Sequence, residues 1–196
     1  IYVRPRDEYI TVLERPDTIE TPPDAVFDLG GWDLRKVIQH LTKSNAVMLE
    51  WLHSGVIYRM DGELRKALQK LGRQFFNPVS VCWHYLSLAK KKLAVLEQQG
   101  GSGKMKTYCY VLRPRACVRF IHDFGAVPFM EYRKNLEGIK PAPALLAEID
   151  RLLAQKQAVP EGELVASPLL LDYFRSECAW AEGWLATERH ERERDY

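Results

Sequence analysis

Asp28 interrupts the apolar run Val26-Phe27-Asp28-Leu29, immediately ahead of Gly30-Gly31. A carboxylate in that setting either points to solvent from a strand edge or meets a cation. The edge position is the simpler reading, and composition favours it. The chemical reading is a metal-binding or basic carboxylate at a strand end, where the two glycines leave space for a ligand to approach the backbone. Asp33 is accounted for as the acid at the N-terminus of the following helix, where it complements the macrodipole.

A second concentration of chemistry lies between Lys104 and His122. At about 100° per residue, Lys106, Tyr110 and Arg113 share one helix face, while Lys104, Arg115, Arg119 and His122 lie roughly opposite. Cations on two sides require solvent or an anion on each, and Tyr108 and Tyr110 add apolar bodies with polar tips. Snorkelling side chains on a partly exposed helix and a phosphate site account for this pattern equally well.

The remaining candidates have plainer explanations. His84 sits between Trp83 and Tyr85 and has Leu88 at i+4, so it reads as a boundary histidine without a partner ligand. No Ser/His/Asp or Cys/His arrangement follows from spacing. Lys90-Lys91-Lys92 must splay around a helix and reads as surface charge; Trp180 and Trp184 at i,i+4 read as packing. Gly100-Gly101-Ser102-Gly103 lacks P-loop spacing and follows a helix, so a flexible connection is expected.

The elements that must position these residues change character along the chain. Ile1 to Val3, Tyr9 to Leu13 and Ala25 to Leu29 read as short strands, with Arg15 to Asp24 as a Pro-containing loop and Gly30-Gly31 as a break. From Trp32 the apolar period becomes helical through Leu34, Val37, Ile38 and Leu41. Asn45, Asp61 and the pair Asn77-Pro78 are start signals for three further helices, the last reaching about Gln99. Lys104 to Asp123, with Pro114 inside it, is the next helix, ended by Gly125; Pro128 to Leu136, Pro141 to Gln157 and Ser167 to about Arg192 complete the set. The expected fold class is α+β, with part of an αβ core over residues 1–55 and a mostly helical bundle over residues 56–196.

Composition bounds the function. The 196 residues are 46% hydrophobic and 28% charged, as in one or two ordinary globular domains able to bury roughly 70% of the unfolded surface. With 28 Lys+Arg against 26 Asp+Glu the net charge is only +2, so polyanion binding would have to come from a local patch. Apolar runs fall far short of the ~20 residues of a membrane span. Cys82, Cys109, Cys117 and Cys178 lack CxxC spacing and disulfide density, which points to a reducing cytoplasm. The opening Ile1-Tyr2-Val3 reads as a strand with nothing before it, so the expectation is a chain that begins within something longer.

Three blocks together carry a family resemblance. Asp28-Leu29-Gly30-Gly31-Trp32-Asp33-Leu34-Arg35-Lys36, followed by Lys43-Ser44-Asn45 and Glu50-Trp51-Leu52-His53-Ser54, resembles the predicted nucleotidyltransferases found with RNA ligases, within the DNA polymerase beta superfamily. Lys104-Met105-Lys106-Thr107-Tyr108-Cys109-Tyr110-Val111-Leu112-Arg113-Pro114 is similar to that family's basic helix. Tyr2-Val3-Arg4-Pro5-Arg6-Asp7-Glu8-Tyr9 matches its stretch after the second catalytic strand. The matches run from residue 2 to about 120 and are specific in combination.

The resemblance implies a nucleotidyltransferase αβ core followed by a helical bundle, transferring a nucleotidyl group from a nucleoside triphosphate with the help of Mg2+ or Mn2+. Asp28 matches the family's third metal carboxylate; the Gly-Ser element and the strand-borne carboxylate pair would both precede Ile1. Lys106, Tyr110 and Arg113 are then the expected nucleotide contacts, and Lys104, Arg115 and Arg119, on the outer side of the same helix, the expected RNA contacts. The acceptor is left open, with RNA as a candidate. A reading of another class stands beside it: a non-catalytic module whose helical part binds RNA or a protein.

Overall fold

The computed structural model describes residues 1–13, 15–22, 26, 29–158 and 164–194. The chain divides into two compact units, Ile1–Phe76 and Asn77–Tyr196. The mixture of helices with two small antiparallel sheets makes it an α+β protein. The first unit runs past the boundary expected at residue 55 and takes in one more helix.

In the first unit, Pro5 leads into a single helical turn, α1 (Arg6–Tyr9). Strand β1 (Thr18–Glu20) pairs antiparallel with β2 (Gly30–Trp32), in register Thr18 to Trp32 and Glu20 to Gly30. Tyr2 extends the pairing on the other side through a parallel bridge to Asp33, its N–H donating to Trp32 O at 3.0 Å. Helices α2 (Leu34–Thr42), α3 (Ala46–Leu52) and α4 (Gly62–Gln74) follow, each opened by a side-chain cap: Asp33, Asn45 and Asp61 accept from the N–H groups of Arg35, Met48 and Leu64. Val37, Leu41, Met48, Leu49, Leu52 and Leu68 are buried and form this unit's core.

Several strand expectations change here. Tyr9 to Leu13 is no strand: Tyr9 closes α1, and Ile10, Val12 and Leu13 are exposed, with no sheet face to cover them. The loop expected over Arg15 to Asp24 contains β1, and Gly30-Gly31 opens β2 where a break was expected, because Glu20 and Ile19 of β1 pair with these two glycines. Of the strand expected over Ala25 to Leu29, residues Ala25, Phe27 and Asp28 lie outside the described residues.

The second unit is built on α5 (Pro78–Gln98) and α6 (Met105–Phe124), joined by β3 (Ser102–Lys104). Helices α7 (Tyr132–Ile139) and α8 (Pro143–Ala158), strand β4 (Leu164–Ala166) and the long α9 (Pro168–Arg194) complete it. Asn77 caps α5 with Pro78 at its first position, and Ser167 Oγ accepts from Leu170 N at 3.3 Å to start α9. The glycine run is no flexible connection. Gly100 and Gly101 take φ of +63° and +84°, a left-handed turn that sends Ser102–Lys104 back to pair antiparallel with Leu164–Ala166. The buried Tyr108 hydroxyl donates to Gly101 O at 2.6 Å and accepts from Ser167 N at 3.1 Å, tying the turn to the start of α9.

Candidate functional site

In the first unit the polar residues converge where α1, β1 and α2 begin. Asp33 is buried and accepts on both oxygens: Oδ1 from Arg35 N at 2.8 Å, Oδ2 from Arg4 Nε at 2.8 Å. The same Arg4 guanidinium donates to Glu8 at 3.3 Å, to the Tyr2 hydroxyl at 3.2 Å and to Pro16 O at 2.5 Å. Those bonds, Tyr2 first and Asp33 next, raise Arg4 above the ordinary arginine range. Arg4 is a post around which three segments are fixed.

Beside this post lies a polar cleft of about 620 Å³, whose wall includes Arg15, Arg35, Lys36 and Gln39. Lys36 Nζ lies 2.8 Å from Asp17 and 2.5 Å from Thr18 Oγ1, and it holds the Asp17 carboxyl below its usual range. Arg15 reaches Glu8 at 2.8 Å. Arg35 donates to Tyr9 O and lies over the Tyr9 ring, 5.3 Å from its centroid. His40 stacks on Trp32 at 4.8 Å; burial first, then the Lys36 charge, lowers its pKa. No motif in the sequence announces this cleft, since its cations come from three separated segments. Asp33 was legible as a capping acid, and Arg4, Glu8, Tyr9, Arg35 and Lys36 stand in the blocks that carry the family resemblance, but nothing in those blocks says that they share a cleft.

In the second unit the two faces of α6 meet different fates. Tyr110 is exposed, with the Lys92 and Lys106 ammonium groups 5.7 and 5.9 Å from its ring centroid, a cation–π arrangement open to solvent. Arg113 is partly buried on the same helix and Lys104 is exposed just ahead of it. Arg115, expected on the outer side, is fully buried instead: its Nη2 donates to Glu177 O at 2.5 Å and lies 3.3 Å from Glu177 Oε2. Arg119 joins the same carboxylate, Nη2 to Oε1 at 2.6 Å, and lies on the Trp180 ring at 3.4 Å. Spacing on α6 cannot reveal this, because the anion that neutralises the outer face comes from α9, far along the chain.

Among the described residues no group of three His, Cys, Asp or Glu side chains could hold a metal ion. Asp28 lies outside those residues, so the described side chains do not compose the metal site that the resemblance implies.

Fold and sites together define an α+β protein with a cation-lined cleft in one unit and a basic aromatic face in the other. A family model, the RNA repair pathway DNA polymerase beta family, matches residues 1–196, and the chain belongs to that family. It is also 33% identical over 166 residues to the uncharacterized protein YcgL of Bacillus subtilis (strain 168), a match covering 85% of this chain and 64% of that protein. The chain thus spans less than two thirds of this curated relative's length. No solved structure matches it.

Proposed function

We propose that this chain is part of a nucleotidyltransferase that moves a nucleotidyl group from a nucleoside triphosphate to an RNA acceptor. The observation that carries this reading is the family match over the whole chain, to polymerase beta-like proteins of RNA repair. The requirement for Mg2+ or Mn2+ enters from the family alone, with Asp28 as one carboxylate ligand. Lys106 and Tyr110 are proposed to contact the nucleotide, because a cation beside an exposed ring offers a base or phosphate both stacking and charge. Arg113, on the same face by spacing, is proposed to join them. Lys104 keeps its place as a candidate RNA contact; Arg115 and Arg119 would have to give up Glu177 to serve as one. A cytoplasmic site of action belongs to the same reading and is supported by the cysteine usage.

The test is Asp28→Asn in the full-length protein. An amide keeps the volume and loses the charge a cation needs. Transfer of nucleotidyl label to RNA in Mg2+ or Mn2+ is expected to disappear while the melting temperature stays near that of the parent. Full turnover in the variant would remove Asp28 from the reaction. A second reading, the non-catalytic binding module, predicts no transfer under any metal and RNA binding that persists.

A further inference from the structure

The cations of the first unit's cleft are not equivalent. Arg4 is committed through Nε and both terminal nitrogens to Asp33, Glu8, Tyr2 and Pro16. Lys36 is committed to Asp17 and Thr18. Arg15 and Arg35 differ. Arg15 is bonded through Nη1 to Glu8, whose carboxylate already faces Arg4. Arg35 is bonded through Nη2 to a neutral carbonyl, Tyr9 O, and among the described residues no carboxylate meets its guanidinium. Glu8 and Tyr9 are consecutive residues of α1, so one helical turn anchors both forks on the wall of one cleft, each through one terminal nitrogen, and among the described residues their other N–H donors meet no carboxylate. The carboxylates among the described residues of the cleft wall, Glu8, Asp17 and Asp33, each already have a cation. Among the described residues that line the cleft, four cations, Arg4, Arg15, Arg35 and Lys36, stand against three carboxylates.

We propose that this cleft is a phosphate subsite in which Arg15 and Arg35 grip the terminal phosphate of a nucleotide or of a nucleic-acid strand, with Arg4 as the positioning residue behind them. Two planar guanidinium forks fit a phosphomonoester, which offers three terminal oxygens, better than a backbone diester, which offers two. A cleft of about 620 Å³ lies within the range that holds a small-molecule ligand. The bond to Tyr9 O and the Tyr9 ring, 5.3 Å from the guanidinium, hold Arg35 at the cleft wall, so less rotamer freedom is lost when an anion arrives. This inference rests on the proposed transferase reading only for the class of molecule that bears the phosphate.

Equilibrium binding to the full-length protein tests it, with AMP, a phosphate-ended RNA oligonucleotide and its hydroxyl-ended counterpart as probes. The parent is expected to bind AMP or the phosphate-ended RNA, the latter more tightly than the hydroxyl-ended RNA. Arg35→Ala should weaken phosphate-dependent binding about tenfold or more, the size of a charge-assisted hydrogen bond, and Arg15→Ala should act in the same direction. Arg35→Lys should recover only part, because a point charge replaces a fork. Melting curves confirm that each variant is folded. Arg35 dependence with AMP alone assigns the site to a free nucleotide; dependence with RNA assigns it to a strand end. No preference for phosphate in the parent, or full preference in folded Arg35→Ala, overturns the proposal. The outcomes separate from those above: phosphate preference without any nucleotidyl transfer would sink the transferase and leave the subsite. Transfer with an unaltered Arg35→Ala would do the reverse.

Discussion

A guanidinium with no solvent exposure depends on its partner, and for Arg115 that partner is Glu177 of α9. Removing the carboxylate leaves the charge buried, and Arg115 Nε and Nη1 already lack hydrogen-bond partners among the described residues. Glu177→Ala is therefore expected to destabilise the second unit by roughly 3–5 kcal/mol, measured by urea unfolding. Combining it with Arg115→Met should restore much of that loss, since a buried pair replaced by apolar groups of similar size is often tolerated. Glu148 carries a pH signature. Arg151 meets both of its oxygens at 2.7 Å and pulls its pKa down to about 2. A carboxylate depressed in the folded state stabilises above its ordinary range, near 4.5, and loses that contribution as pH falls toward about 2. Acid unfolding of Glu148→Gln should accordingly be shallower than the parent's over that window. A parallel acid limb would mean the pair survives in the unfolded chain or contributes nothing.

At the scale of elements, the turn between α5 and α6 is the most tightly specified. A Cβ at Gly103 would lie 2.4 Å from Leu96 Cδ2, so the buried Leu96 side chain would have to shift within a packed core. Gly103→Ala is expected to cost about 1–3 kcal/mol through overpacking, seen as a lower urea midpoint at unchanged slope. Helix α4 offers the opposite kind of control. Its start depends on Asp61 Oδ1 accepting from Leu64 N at 2.8 Å at an exposed site, so Asp61→Ala should cost about 1 kcal/mol and leave the second unit's stability unchanged.

On the scale of the molecule, the two units differ in how completely each covers its own apolar surface. The second unit buries long stretches of α5, α6 and α9, including Tyr85, Leu96, Val111, Ile121, Phe174 and Leu185. The first unit leaves Val12, Val26 and Tyr58 at least 92% exposed, together with Ile10, Leu13 and Val56. A fragment of residues 77–196 is expected to fold cooperatively by itself, with a single melting transition and native near-ultraviolet dichroism. A fragment of residues 1–76 should associate or precipitate, because exposed apolar side chains at this density favour intermolecular burial. Light scattering and calorimetry on the two fragments decide this. A monomeric, cooperatively melting 1–76 would show that its exposed residues are too dispersed to matter.

Local chemistry was readable without a fold. Asn45, Asp61 and Asn77-Pro78 start helices because a short acceptor side chain and a fixed proline φ act within one turn, and the structure places all three where spacing put them. The family, too, lies in short contiguous blocks, since such blocks survive as sequence, and the match to the whole chain agrees with them. What needed tertiary structure is everything carried by contacts between distant residues. The burial of Arg115 was settled by Glu177, and the glycine turn became part of a sheet because Leu164–Ala166 returned to pair with it. Likewise the cleft around Arg4, Arg15, Arg35 and Lys36 exists only once α1, β1 and α2 have come together. Periodicity reports which face of an element is apolar; it carries no information about which anion, strand or carbonyl a later segment will bring to the polar face.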